Sequence, residues 1–403
     1  LARRQAYRLM DAAAAQRALQ AAQQALQRGQ LAEAKAFLAP VRKAMPREKA
    51  VLYLASRLAR AESDARGAAK LLEKALRLSP REAPLWAEYA STLDDAGRPD
   101  EAVKAYDRAL QLEPRLVDAA VDRAVLQAQK LDRAAALEEL RQIARDNPAH
   151  LRGWRNLAML ERDALEAERA IAASEHVLAT APGDPTALRI RALAQFDTGE
   201  PSAAHFARAS AADPGNAVLA IKHAAALHAE RRSAEGDRLL GDVIAAQPFQ
   251  LDALRTRAQL RWEAATGEDP MEGFEQAVAR PGCPPQVWAE YARLAERHSG
   301  AQAALAIVDR ARTALGDTRE VAFMAAQAAC EAEDFAEREH DLAAVASWQD
   351  PRADMLRARW LARMHRWDEL AKLGKRLLRA GYARDVLPYL SLAWRGSDPD
   401  RWH

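Results

Sequence analysis

Residues 83–116 read APLWAEYASTLDDAGRPDEAVKAYDRALQLEPRL, and the placing of their large, small and chain-breaking residues decides the architecture. Trp86, Tyr89, Ala90 and Leu93 recur at three- and four-residue steps, which puts them on one face of a first helix. The run Asp94-Asp95-Ala96-Gly97-Arg98-Pro99-Asp100 breaks that helix. Gly97 suits a helix C-terminus, and Pro99, with no N–H to lose, suits the first turn of the next helix. Ala102, Tyr106, Ala109 and Leu110 then form a second stripe, and Pro114 ends it. Small side chains at Ala90, Ala102 and Ala109 let the two helices approach closely, while Trp86 and Tyr106 fill the space beside them. A hairpin this short cannot bury both faces alone, so its neighbours in sequence must cover it.

Proline supplies the period. Pro46, Pro80, Pro114, Pro148 and Pro182 are each 34 residues apart, Pro214 follows after 32 and Pro248 after another 34. The two-residue shortfall falls near Gly199-Glu200-Pro201. Stepping by the period recovers Leu52, Ala55, Ala68, Leu72 and Ala75 before the central unit, and Ala120, Ala124, Ala136 and Leu140 after it. Trp154, Leu157, Ala158, Ala170 and Val177 form a further copy, and Trp288, Tyr291, Ala292, Ala304 and Ala311 another. The tryptophans Trp86, Trp154 and Trp288 hold the same anchor position and are expected in the core.

Position by position, Trp86, Tyr89, Ala90, Leu93, Ala102, Tyr106, Ala109 and Pro114 resemble the tetratricopeptide repeat. The resemblance covers roughly residues 15–350, with weaker units at 15–46 and 319–350. It implies an all-α fold, a right-handed α-α superhelical solenoid of about nine to ten hairpins with helical caps, whose first helices line a concave groove. On this reading residues 1–14 are an N-terminal capping helix, 15–350 the solenoid, 351–395 a C-terminal helical cap and 396–403 a linker or tail.

Composition agrees with a folded repeat array. The 403 residues are 49% hydrophobic and 29% charged, too apolar for disorder. No charge-free stretch approaches the roughly 18 residues that span a bilayer, so no membrane partner is expected. Two cysteines, Cys283 and Cys330, exclude a disulfide framework and a cysteine-built zinc site. The chain opens at Leu1, so no compartment follows from its first residues, and the cytoplasm is the default expectation. Its net charge of +2 is unevenly spread. Residues 1–80 hold 16 Lys and Arg against 6 Asp and Glu, residues 81–351 hold 31 against 45, and residues 352–403 hold 12 against 6. Basic ends could contact nucleic acid, but the N-terminal one lacks interleaved aromatics, and that partner is disfavoured.

Chemistry is sparse. There is no Gly-rich phosphate loop, no Gly-x-Ser-x-Gly and no His-Glu-x-x-His. His228-Ala229-Glu230 has the spacing of an iron-binding His-x-carboxylate pair, but residues two apart on a helix diverge, and Ser174-Glu175-His176 fails for the same reason. No cofactor, metal or catalytic residue is expected.

Binding candidates lie on the first helices. Arg155, Arg189 and Arg255 follow the anchors Trp154, Leu188 and Leu254, and Lys222 stands one residue further along its helix. With Arg152 and Asn156 beside the first rung, they form a basic ladder for the carboxylates or carbonyls of an extended, acidic peptide. Five of nine tryptophans, Trp348, Trp360, Trp367, Trp394 and Trp402, crowd the C-terminal end, and Trp360, Trp367, Trp394 and Trp402 are expected to form a docking surface for a second copy or a further domain.

The sequence therefore reads as a protein- or peptide-binding scaffold. The alternative is the substrate-recruiting or dimerising arm of a larger enzyme. Ala393-Trp394-Arg395 and Asp398-Pro399-Asp400-Arg401-Trp402 resemble the junction at which bacterial tetratricopeptide proteins continue into a 2-oxoglutarate/Fe(II) oxygenase, a peptide or protein hydroxylase. The oxygenase is favoured, and fusion to a sulfotransferase or glycosyltransferase domain stays open.

Overall fold

The computed structural model describes residues 12–130, 132–265, 267–332, 339–346, 348, 350–379, 381–382 and 387–391. Every regular element among them is a helix, and the chain divides into two units at Pro201/Ser202.

Unit 1 begins with the pair α1 (Ala12–Gln27) and α2 (Leu31–Ala44). The pairs α3 (Lys49–Ala61) and α4 (Ala65–Leu78), α5 (Ala83–Asp95) and α6 (Pro99–Leu112), α7 (Val117–Lys130) and α8 (Arg133–Asp146), and α9 (Leu151–Asp163) and α10 (Ala167–Thr180) follow, with α11 (Pro185–Asp197) last. Ala12–Ala14, assigned to a cap by the sequence, are the first turn of α1; residues 1–11 lie outside the described part. Unit 2 opens with α12 (Ala203–Ala212). It continues with α13 (Ala217–Ala229) and α14 (Ser233–Ala246), α15 (Leu251–Ala264) and α16 (Glu272–Val278), α17 (Pro285–Ser299) and α18 (Ala301–Leu315), α19 (Arg319–Ala332) and α20 (Glu339–Ala346), and α21 (Pro351–Arg363) and α22 (Trp367–Arg379).

The proline series is the helix-stop series. Second helices end at Ala44, Leu78, Leu112, Asp146, Thr180, Ala212 and Ala246, each two residues before its proline. The ring removes an amide donor and pushes the preceding residue out of the helical region, so the helix has to stop there. First helices start at residues 49, 83, 117, 151 and 185, then at 217, 251, 285 and 319, so the 34-residue step outlasts the last proline of the series. The shortfall near Gly199 is visible as well: α12 has 10 residues where α10 and α14 have 14, and the boundary between the units falls just before it.

Within each unit the core is built as the pattern requires. Ala90, Ala102, Ala109, Ala124 and Ala158 are fully buried where paired helices cross, with Leu72, Leu93, Leu140 and Tyr106 around them. In unit 2 Leu254, Phe274 and Trp288 fill the same role, and a second cluster of Trp360, Leu361, Leu370 and Leu390 closes its last hairpins. The anchor expectation needs correcting: Trp288 is buried, but Trp86 and Trp154 are only half-buried. Trp86 donates from Nε1 to the Pro80 carbonyl at 2.9 Å, and Trp154 stacks on His176 with ring centres 4.1 Å apart. A first-helix anchor lies at the bottom of the groove between two second helices, and Trp154 lines such a groove, which leaves one ring face accessible.

The turns inside several of the described hairpins use a residue of positive φ. Gly29, Gly97 and Gly199 supply it with φ between 73° and 84°, but Leu165 and Arg231 adopt it at 64°. Leu165 is 90% exposed and packs against little, so its Cβ is strained without compensation. Leu165→Gly should therefore stabilise unit 1 by about 0.5–1 kcal/mol, the left-handed penalty of roughly 1–2 kcal/mol outweighing the extra entropy glycine loses on folding. The opposite result is expected at Gly236, where an added Cβ would stand 2.9 Å from the Ala224 carbonyl oxygen. Gly236→Ala should cost about 1–2 kcal/mol despite the better helix propensity of alanine. Denaturant titration of both variants against the parent checks the two signs.

Candidate binding surfaces on the first helices

The residues expected from the sequence lie on first helices, where Arg152, Arg155 and Arg255, three of the six, are already engaged by carboxylates of a neighbouring repeat. In unit 1, Arg152 on α9 donates to Asp118 and Asp122 of α7 at 2.6 Å each. Arg155 stands 3.0 Å from Asp184, the N-cap residue of α11. Arg189 has no ion pair among the described residues, and Asn156 lies half-buried beside Arg155. In unit 2, Lys222 is half-buried on α13. Arg255 on α15 donates to Glu290 of α17 at 2.7 Å and approaches Asp252 at 3.4 Å. Arg60 likewise reaches from α3 to Glu88 and Asp95 on α5. The cations were legible from their 34-residue recurrence. Their partners recur less regularly, at 29–35 residues, and were missed.

Unit 2 also holds a charged centre that the sequence did not reveal. Asp237 on α14 accepts from Arg257 at 2.9 and 3.0 Å and from Arg261 at 2.6 and 3.0 Å. Arg261, 6% exposed, also donates to the Asp269 carbonyl and to Glu272. Burial pushes the Asp237 carboxyl up, but the two guanidiniums outweigh it and hold it at about 2. Glu290 behaves alike: burial raises it, while Arg293 and Arg255 pull it down to about 2.

The histidine and carboxylate groups singled out by their spacing are dispersed. His228 meets Ser233 at 2.9 Å and Glu263 at 3.2 Å, whereas Glu230 accepts from the Ala203 amide at 2.8 Å and pairs with Arg232. His176 donates to the Pro148 carbonyl, and Glu175 pairs with Arg191. Among the described residues no three His, Cys, Asp or Glu side chains converge to hold a metal ion, and no helix is long and apolar enough to cross a membrane. Cys283 and Cys330 are buried, and burial pushes both thiols up to about 11.

The first-helix face changes character in unit 2. One period beyond Arg255 the rung position is Ala289, and one further it is Phe323. Both line a pocket of about 360 Å³ with Pro285, Met324 and Trp348. Arginine returns from other positions: the Arg319 guanidinium lies 4.6 Å from the centre of the Trp348 ring, and that of Arg352 lies 5.6 Å from the Phe323 ring. Asp350 stands 3.2 Å from Arg352 and 4.0 Å from Arg319, and hydrogen bonds from Arg352 hold its carboxyl below the usual range. Both guanidiniums remain mostly exposed, at 63% and 80%, and Glu320 sits on the rim.

The tryptophan surface expected at the C-terminal end is not assembled by the described residues. Trp360 is only 5% exposed, packed in the core of the last hairpins with Arg366 over its ring, so it is a core residue and not a docking one. Trp367 begins the next helix and packs partly buried against the same cluster. Trp394, Trp402 and the run resembling an oxygenase junction lie outside the described residues.

Helix pairs stepping at 34 residues, each covered by its neighbours, define an α-helical repeat protein. Residues 59–125 match the tetratricopeptide repeat family, and the register of helix starts extends the same repeat from Lys49 to Arg319. That segment carries tetratricopeptide repeats, and helix pairs of the same register continue on either side of it. No curated protein matches it. Among solved structures, the C-terminal part of a TPR repeat-containing protein from Cytophaga hutchinsonii is 14% identical, covering 59% of this chain and 98% of that one, with a TM-score of 0.46. PilW, a type IV pilus biogenesis factor, is 16% identical over 51% of this chain and 97% of its own, with a TM-score of 0.45. YrrB, described as a TPR protein with an unusual peptide-binding site, is 19% identical over 42% and 87%, with a TM-score of 0.34.

The depressed carboxyls fix a pH dependence. Asp237 and Glu290 stay ionised in the folded state to about pH 2, whereas the unfolded chain takes up protons near pH 4, so their contribution is full above about pH 4.5 and is lost as pH falls toward 2. Each is worth about 2–3 kcal/mol at neutral pH by this linkage. Thermal unfolding followed from pH 7 to pH 2 should show a steep acid-side fall that flattens in Asp237→Asn, a variant already weaker at pH 7 because it takes the carboxylate from Arg257 and one of the carboxylates from Arg261.

Proposed function

We propose that this chain is a non-catalytic protein-interaction scaffold that holds an extended polypeptide segment along the first helices of unit 2. The observation that carries this reading is the pocket around Ala289 and Phe323, where an apolar floor is flanked by two exposed guanidiniums already oriented on aromatic rings. An extended segment presents side chains and backbone carbonyls alternately. An apolar side chain fits against Ala289, Phe323, Met324 and Trp348, while Arg319 and Arg352 donate to the flanking carbonyls or to a carboxylate. The stacked rings limit the rotamer freedom that each arginine loses on binding. Asp350 and Glu320 temper the positive charge, so carbonyl recognition weighs more here than the net acidity of the ligand. In unit 1, Arg189 and Asn156 remain as donors for a peptide, while Arg152 and Arg155 brace the repeats. The scaffold is read as needing neither cofactor nor metal.

Affinity purification from the native extract with the parent chain, with Phe323→Ala and with Arg319→Glu/Arg352→Glu tests the site. Loss of the partner in both variants, by about tenfold or more, is expected, since a buried anchor and two charge-assisted donors are each worth roughly 1–3 kcal/mol. Retention of the partner by the double charge reversal, with the fold intact by circular dichroism, would remove this pocket from the binding site.

A further inference from the structure

The second helices carry a different surface. Resting on the scaffold reading above, we infer that the groove between α2 and α4 binds an acidic amphipathic helical segment of another protein.

The groove has a volume of about 680 Å³ and lies over α3, with Leu38, Ala55, Leu58 and Leu71 along its floor. Its rims are cationic: Lys35, Arg42 and Lys43 come from α2, and Lys70 and Lys74 from α4. Lys35 and Arg42 are seven apart and Lys70 and Lys74 four apart, so each pair lines one face of its helix. Two carboxylates face these five cations, and both are occupied. Glu62 pairs with Lys35 at 2.8 Å, and Asp64 caps α4 by accepting from the Gly67 amide at 2.8 Å. Arg42, Lys70 and Lys74 have no ion pair among the described residues.

The equivalent groove between α8 and α10 shows what this one lacks. It lies over α9, has a volume of about 450 Å³, and is lined by Glu138, Arg141, Arg145 and Glu161. Glu161, with its side chain 2% exposed, accepts from Arg141 at 2.6 and 2.8 Å, and Glu138 pairs with both Arg141 and Arg145. These four charges are satisfied among themselves, and Arg169, which also lines the groove, lies 3.8 Å from Glu166. Three periods earlier the place of Glu161 is taken by Ala59, and the places of Ala172 and His176 are taken by Lys70 and Lys74. The same architecture has therefore lost its own floor carboxylate and gained rim cations, so the missing carboxylates must come from the occupant.

An apolar floor between two cationic rims is the complement of a helix whose apolar stripe is flanked by Asp and Glu. The 14-residue helices α2 and α4 offer about 21 Å, the length of a four-turn helix. Nucleic acid fits less well: no aromatic ring lines the groove to stack a base, and the apolar floor has no counterpart in a phosphate backbone.

The test is selection on the full chain from a displayed library of helical peptides, each of about 18 residues with leucines fixed at i, i+4 and i+7 and the other positions random. Expected is enrichment of peptides rich in Asp and Glu flanking the leucines. Their affinity should fall as salt is raised and drop about tenfold or more in Lys70→Glu/Lys74→Glu, with a smaller loss in the milder Lys70→Ala/Lys74→Ala. Arg319→Glu/Arg352→Glu should bind them like the parent, so failure here and failure of the unit 2 pocket are read separately. Selected peptides without acidic bias, or affinity unchanged by both lysine variants, would overturn the inference. So would a single-stranded oligonucleotide that binds more tightly than the peptides and displaces them.

Discussion

The close approach of two backbones at the centre of each hairpin sets every other dimension of the molecule. At α13 and α14 this approach is tight enough that Gly236 has no room for a Cβ against the Ala224 carbonyl. Elsewhere the crossing is held by buried alanines such as Ala90 with Ala102 and Ala158 with Ala170. Large residues at these places would splay the hairpin and end its contact with the next one. With them small, bulky side chains are displaced to the flanks, where Tyr106, Phe274 and Trp288 bridge one repeat to its neighbour. Since a hairpin has no core of its own, stability accrues only as neighbours are added.

Ion pairs supply a second kind of register. Carboxylates and cations about one period apart meet between consecutive first helices, as Arg60 meets Glu88, Arg152 meets Asp122 and Arg255 meets Glu290. Where both partners are exposed such pairs contribute roughly 0–1 kcal/mol each, whereas the buried Glu290 contributes more. The buried ones matter for what their loss would leave behind: without Asp237, Arg257 would lose its carboxylate with most of its surface out of water, and Arg261 would be left to Glu268 and Glu272. A slip of one residue between repeats would separate such pairs and misplace the alanines together, so packing and charge specify the same register.

The fold was legible because its determinants are local. Pro114 stops a helix and Pro99 starts one wherever the rest of the chain lies, and a period of 34 turns one readable hairpin into many. The same reasoning lost accuracy where a side chain's fate depends on a neighbour. Trp86 and Trp154 share an anchor position with Trp288, yet both are only half-buried, Trp154 beside a partly open groove. Trp360 and Trp367 were expected on a docking surface; a turn at residues 364–366 puts them on separate helices and buries the first. The basic ladder was visible as cations, but the carboxylates that engage Arg152, Arg155 and Arg255 belong to other repeats at irregular spacing. The unit 2 pocket was hidden for a related reason: its arginines, Arg319 and Arg352, do not stand at the rung position.

Repetition makes the departures informative. When a scaffold presents the same groove or rung several times, a residue that recurs serves the fold, and one that replaces it at a single repeat needs another explanation. Glu161 satisfies its neighbours inside one groove, and Ala59 at the same place leaves another groove with uncompensated cations. Arg255 braces two first helices, and Ala289 and Phe323 at the succeeding rungs open an apolar pocket instead. Neither change is forced by packing, because Ala59 lies over an open groove and Phe323 is not fully covered. Both put apolar surface and positive charge next to each other, an arrangement that suits the polypeptide partners proposed above, which would bury the one and pair the other.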